Sequence, residues 1–156
     1  PMYYNYEVTY KYMPFNVQAA LGYAQLQRLD ELVGRKRDQL LFYKTHLRDV
    51  EDIELNPEPE GGINGAWITA LLFGKSHHIT KQEAITRLAE LGIPARPFFY
   101  PLSSLPAYPD CREQYEPRNP LAYDICSRGI NLPGAANLTE DQMFRVCEGI
   151  QTILTK

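Results

Sequence analysis

Two T-x-x-(E/Q) capping boxes, Thr80-Lys81-Gln82-Glu83 and Thr139-Glu140-Asp141-Gln142, each stand directly ahead of a helical apolar stripe. In such a box the threonine hydroxyl accepts from the N3 amide, and the N3 side chain accepts from the N-cap amide. Two orphan backbone donors are satisfied together, so the box fixes where a helix starts. Behind the first, Ala84, Leu88 and Leu91 share one face and Gly92 supplies the stop. Behind the second, Met143, Val146, Cys147, Ile150, Ile153 and Leu154 line up as a core-facing stripe.

The segments around these helices are shorter and mixed. Asn16 to Val50 has helical periodicity in two stripes. Val17, Ala20, Leu21 and Ala24 make the first; Val33, Leu40, Tyr43, Leu47 and Val50 make the second. The stripe shifts at Gly34 and Arg35-Lys36-Arg37, which predicts two helices or one kinked there. Pro14 suits the entrance, since its missing N–H is no loss in a first turn. The turn-rich Asn56 to Gly62 precedes an apolar run, Ala66 to Phe73, that reads as a strand covered on both faces. Ile93 to Tyr100 reads as extended, with Pro94 and Pro97 confining it to a sheet edge. Pro101, Pro106 and Pro109 then hold a long loop. A short helix from Pro120 to Arg128 stops at Gly129, and Ile130 to Pro133 is a brief strand. Few strands with segregated helices predict an α+β fold, helices packed on one side of a small, largely antiparallel sheet. There is no internal repeat. The chain divides into an aromatic lead-in (1–15), a long helix or helix pair (16–50) and an α+β layer (66–156).

A chain of 156 residues is one domain in expectation. Its net charge of −3 gives no reason to expect a nucleic-acid partner, and no apolar stretch nears the ~20 residues of a membrane span. Cys111, Cys126 and Cys147 match no metal spacing; an odd set of thiols, one on a core stripe, predicts a reducing, cytoplasmic compartment. Five tyrosines (Tyr3, Tyr4, Tyr6, Tyr10 and Tyr12) crowd the lead-in, which suits either an interface or an aromatic edge.

Residue chemistry taken alone is sparse. His77 and His78 sit in a turn and point apart, so they make a poor metal pair, and His46 reads as solvated on a charged helix face. No G-x-S-x-G elbow, Gly-rich phosphate loop or paired carboxylates stand out. The six lysines (Lys11, Lys36, Lys44, Lys75, Lys81 and Lys156) all fall on predicted surface helices, turns or termini.

Three ordered stretches carry a resemblance. Thr9-Tyr10-Lys11-Tyr12-Met13-Pro14-Phe15-Asn16-Val17-Gln18-Ala19-Ala20-Leu21-Gly22 resembles the G-Y-(N/K)-Y-(R/K)-M-(T/S)-x-(I/L)-Q-A-A-L-G signature of the DegT/DnrJ/EryC1/StrS sugar aminotransferases. Gly92 to Tyr108 is similar to that family's substrate-side strand and loop. Ser127 to Pro133 is similar to the "L-P" strand before its final helix. Within the family, Phe98-Phe99-Tyr100-Pro101-Leu102-Ser103-Ser104 is most similar to the perosamine-synthase branch.

The resemblance implies the small C-terminal domain of a fold-type I enzyme that uses pyridoxal 5'-phosphate (PLP), with the large PLP-binding domain and its Schiff-base lysine outside this chain. It further implies an intact parent that is a cytoplasmic homodimer and aminates a nucleotide-linked keto-deoxy sugar, while this chain alone holds no cofactor and is inactive. Lys11, where relatives carry an asparagine, and Asn16 are the implied PLP-phosphate contacts; Lys11 reads equally as a surface lysine on an edge strand. Arg96 is implied to pair with the diphosphate, and Phe98, Phe99 or Tyr100 to pack on a base or sugar. Strand alternation would put Phe98 and Tyr100 on one face and Phe99 on the other, at least one of the three being core. Ser103 replaces the family's loop histidine. Two other readings remain open: a fragment of a sugar 3-dehydratase, and a non-catalytic binding or assembly module. A fragment would expose an apolar patch of several hundred Å² along the first helix and the tyrosines, whereas a module would be polar there.

Overall fold

The computed structural model describes residues 2–8, 10 and 13–155. Lys11, and with it one implied cofactor contact, lies outside the described residues, as does Tyr12. The chain runs α1 (Asn16–Leu26), α2 (Leu29–His46), β1 (Ile53–Leu55), β2 (Ala70–Phe73), α3 (Lys81–Glu90), β3 (Arg96–Pro97), α4 (Cys111–Tyr115), α5 (Pro120–Arg128), β4 (Gly129–Asn131) and α6 (Glu140–Leu154). The sheet order is β1-β2-β4-β3, antiparallel throughout.

Both capping boxes form. Thr80 Oγ1 accepts from the Glu83 amide at 3.3 Å while Glu83 accepts from the Thr80 amide at 2.8 Å; Thr139 and Gln142 do the same at 3.3 and 3.0 Å. At the end of α3, Gly92 adopts φ 74, and the Gly92 and Ile93 amides return to the Ala89 and Leu88 carbonyls. That is a Schellman closure, and only glycine enters its left-handed position without strain. Pro120 opens α5 and Gly129 ends it.

One face of the sheet meets the core. Leu71, Phe73 and Ile130 are fully buried and pack with Tyr43 and Leu47 of α2, Ala84 and Leu88 of α3, and Met143, Val146, Cys147, Ile150 and Ile153 of α6. Alpha-helix α2 is further clamped to the loop before α6. Tyr43 Oη donates to the Pro133 carbonyl at 2.9 Å, Gln39 Nε2 to Ala135 at 2.6 Å, and Lys36 Nζ to Gly134.

Four expectations are corrected. The helix break falls at Gln27-Arg28, not at Gly34, which lies inside α2. Asp30 and Glu31 belong to a first turn, where the helix dipole favours acids, and Glu31 is held by Arg28 at 2.8 Å. Ala66–Phe73 yields only a four-residue strand; Ala66 has φ 49 and Trp67 is 68% exposed. In β2 burial alternates, and the face bearing Ala70 and Leu72 opens on a cavity of about 330 Å³ lined also by Phe98, Ile125 and Gly129. His46 is only half-exposed rather than solvated: its ring stacks on Phe42 at 4.0 Å and meets Phe144 edge-on at 4.6 Å. Finally, Lys81 is buried, its stem folded inward from the first residue of α3.

Helix α1 stands apart. It buries no residue, and Val17, Leu21, Tyr23 and Leu26 are each more than half exposed, as are Met13 and Phe15 ahead of it.

Candidate functional site

The edge strand β3 holds Arg96 outward. Its partner residues are Asn131 for Arg96 and Ile130 for Pro97. Asn131, itself buried, donates Nδ2–H to the Pro97 carbonyl at 3.2 Å, and the Phe98 amide donates to Gly129 at 3.0 Å. Proline gives no amide to a further strand, so this edge ends the sheet and frees the following residues to turn.

The tyrosine-rich lead-in docks here. Arg96 Nη1 donates to the Tyr3 hydroxyl at 3.2 Å, and the Tyr3 ring lies 4.7 Å from that of Phe99. Phe99 is also stacked with Trp67, centroids 6.5 Å apart and planes 24° from parallel. Beside them, Tyr4 meets Tyr100 edge-on at 5.3 Å, and the Ala107 amide donates to the Asn5 carbonyl. Lys81 Nζ sits 3.8 Å above the Tyr100 ring.

The residues named from sequence therefore divide. Arg96 stands beside Phe99, with Tyr3 and Trp67. Tyr100 faces a separate cavity with Tyr4 and Lys81, while Phe98 packs on Gly129 and Ile125 in the cavity behind the sheet. The alternation that would pair Phe98 with Tyr100 fails because β3 stops at Pro97. None of the three aromatics is fully buried. Asn16 is exposed as the first residue of α1, and no described contact joins it to the Arg96 cluster. Its helix start is half-capped, the Gln18 side chain accepting from the Phe15 amide at 3.3 Å. Ser103 pairs with the Tyr123 hydroxyl at 2.9 Å.

Trp67 was not singled out from sequence, and Tyr3 was named only as one of the clustered lead-in tyrosines, not as a partner of Arg96. The turn residues Asn64 and Gly65, two and three positions before the only tryptophan, are a signal that it leaves the strand; for Tyr3 the signal is the tyrosine crowding itself, which does not say which aromatic it meets. Chemically, Arg96 is an exposed fork of five donors with one used on Tyr3, suited to a phosphate pair, next to an open aromatic face suited to a flat ring. The described residues do not form a whole PLP cradle. Lys81, the one buried lysine among the described residues, touches a thiol and a ring but no carboxylate that could serve a pyridine nitrogen.

Residues 2–151 match the DegT/DnrJ/EryC1/StrS aminotransferase family. The chain is 33% identical over 144 residues to GDP-perosamine synthase of Vibrio cholerae, covering 92% of this chain and 38% of that one. It is 31% identical over 148 residues to GDP-perosamine synthase of Escherichia coli O157:H7, covering 95% and 38%. It thus spans little more than a third of the curated relatives it matches. Among solved structures it is similar to DesI, determined in the presence of its TDP-sugar product (TM-score 0.71, 20% identity, 89% of this chain and 35% of that one). It is likewise similar to the sugar aminotransferase CalS13 from Micromonospora echinospora (TM-score 0.67, 19% identity, 92% and 36%). At such identities the likeness carries the fold alone.

Proposed function

The chain belongs to the DegT/DnrJ/EryC1/StrS aminotransferase family, and we propose that it is the substrate-side, C-terminal part of a PLP-dependent enzyme that aminates a nucleotide-linked keto-deoxy sugar. The observation that carries this reading is Arg96 held outward on the sheet edge next to the Tyr3, Phe99 and Trp67 rings. Guanidinium beside aromatic faces is what a nucleoside diphosphate joined to a sugar requires: a fork for the diphosphate and a flat apolar surface for a ring.

PLP, when bound, supplies the electron sink through which an amino group passes from donor to acceptor. What this chain offers that cofactor is confined to its phosphate. Lys11 is a point charge and Asn16 stands at a helix start, where backbone N–H groups favour an anion. The lysine that holds the cofactor would come from the part of such an enzyme that this chain does not span. The exposed apolar face of α1 supports a docked role, since monomers seldom leave so many large apolar side chains in water; the larger domain and a second copy are its proposed partners.

The test is to split the two half-reactions in the enzyme that contains this chain. Arg96→Ala should raise KM for the nucleotide sugar about tenfold or more while the amino donor still converts the cofactor at the unaltered rate. An equal loss in both half-reactions, or none in either, would refute the assignment.

A further inference from the structure

Outside the Arg96 cluster lies a pair of reactive groups that sugar amination does not use. Lys81 is 9% exposed and Cys126 6% exposed, on α3 and α5, and Lys81 Nζ lies 3.1 Å from Cys126 Sγ. Among the described residues no carboxylate pairs with Lys81. A buried ammonium is costly without an anion, yet its contacts are the thiol and the Tyr100 ring at 3.8 Å, which fixes it in place. The two groups share one wall of a cavity of about 300 Å³ that also reaches Tyr4, Ser104 and Arg112. A cavity of that volume has room for a small hydroperoxide.

We propose that Lys81 and Cys126 form an oxidative modification site, closed by a hydroperoxide into a covalent nitrogen–sulfur bond between α3 and α5. In the first step the thiol sulfur attacks the peroxide O–O bond. Sulfur gives up two electrons, the distal oxygen becomes its hydroxyl, and the rest leaves as an alcohol, or as water from hydrogen peroxide. In the second, the Lys81 amine, having released a proton to water, attacks the sulfenic sulfur. The N–S bond forms, the S–OH bond breaks, and hydroxide departs with an amine proton as water. The product is a sulfenamide, the bond a sulfenic acid makes with a backbone nitrogen, formed here with a side-chain amine instead. The separation already falls within the roughly 3–3.5 Å of a near-attack geometry, so side-chain movement suffices. A small thiol reverses the step by attacking sulfur and returning the amine. Closure would fasten the first turn of α3 to α5 and take the amine off the Tyr100 ring, so it acts next to the segment that carries Arg96.

The experiment treats the full chain, natively folded, with hydrogen peroxide, blocks remaining thiols, digests it and reads peptide masses. The expected result is a joined peptide holding Lys81 and Cys126, two hydrogens lighter than the sum of its parts and released by dithiothreitol. In Lys81→Arg, where the charge remains but no such bond forms, a dicarbonyl probe should trap several-fold more sulfenic acid at Cys126. Cys126 recovered as free thiol, or as sulfinic acid with Lys81 unlinked, overturns the proposal. The wild-type digest decides it even if the variant fails to fold.

Discussion

Arg96 donates from Nη1 to the Tyr3 hydroxyl at 3.2 Å, joining residues ninety-three positions apart. Because Arg96 is exposed and Tyr3 only half-buried, the contact orders the site more than it stabilises the fold. Tyr3→Phe should change unfolding free energy by less than about 0.5 kcal/mol in denaturant titration. Arg96→Lys, which keeps the charge but loses the fork, should weaken nucleotide-sugar binding about tenfold by isothermal titration of the whole enzyme.

Tyr43 is fully buried, and its hydroxyl holds the Pro133 carbonyl. Tyr43→Phe keeps the ring and orphans that carbonyl. The expected cost is about 1–2 kcal/mol, read as a lower urea midpoint at unchanged slope.

Two leucines separate core from unpartnered surface. Leu88 is fully buried beneath the sheet, whereas Leu21 on α1 is largely exposed. Leu88→Ala should cost about 2–5 kcal/mol, and Leu21→Ala less than about 0.5 kcal/mol in the isolated chain. A large loss at Leu21 in the whole enzyme, absent from the isolated chain, would locate a partner on α1.

Removing the first capping box isolates a local term. Thr80→Ala leaves the Glu83 amide without its acceptor and should cost about 1 kcal/mol, and Thr80→Ser should restore most of it.

Stability should fall on both sides of neutrality. The Ser76 hydroxyl and amide hold Asp52 below its ordinary value, the Thr80 amide does so for Glu83, and Arg128 for Asp124. Protons then bind the unfolded chain more readily. The contribution is complete above about pH 4–5 and disappears as pH drops through the lowered native values. On the alkaline side, burial pushes the Cys147 thiol up to about 11 and raises Tyr43 as well. The unfolded thiol ionises first, near pH 8.5, so stability declines from there toward pH 11. Cys147→Ala should flatten that alkaline limb in thermal melts taken at several pH values.

Legibility followed locality. The capping boxes, Gly92, Pro120 and Gly129 are signals read within a few residues, and the structure honours each. Strand β1 was missed because three residues are too few to display a period; only Ile53 and Leu55 flanking Glu54 hint at it. The run from Ala66 misled because hydrophobicity hides the left-handed turn at Ala66 that swings Trp67 out. Lys81 was placed on the surface because no sequence rule anticipates Cys126 forty-five residues away. The site was half legible for the same reason: Arg96 and Phe99 lie in one stretch, whereas Tyr3 and Trp67 arrive only through tertiary packing.

The two-residue rung at Arg96-Pro97 also governs how this molecule behaves in a crowd. A sheet margin with free amides can recruit a strand from a neighbouring chain and begin fibrillar stacking. Here that margin is too short to template one, and its second residue is an imino acid with no hydrogen to offer. Lateral growth is thus left to the opposite margin, where the carboxylate of Glu54 interrupts Ile53 and Leu55, and like charges would meet in any register that superposed two copies.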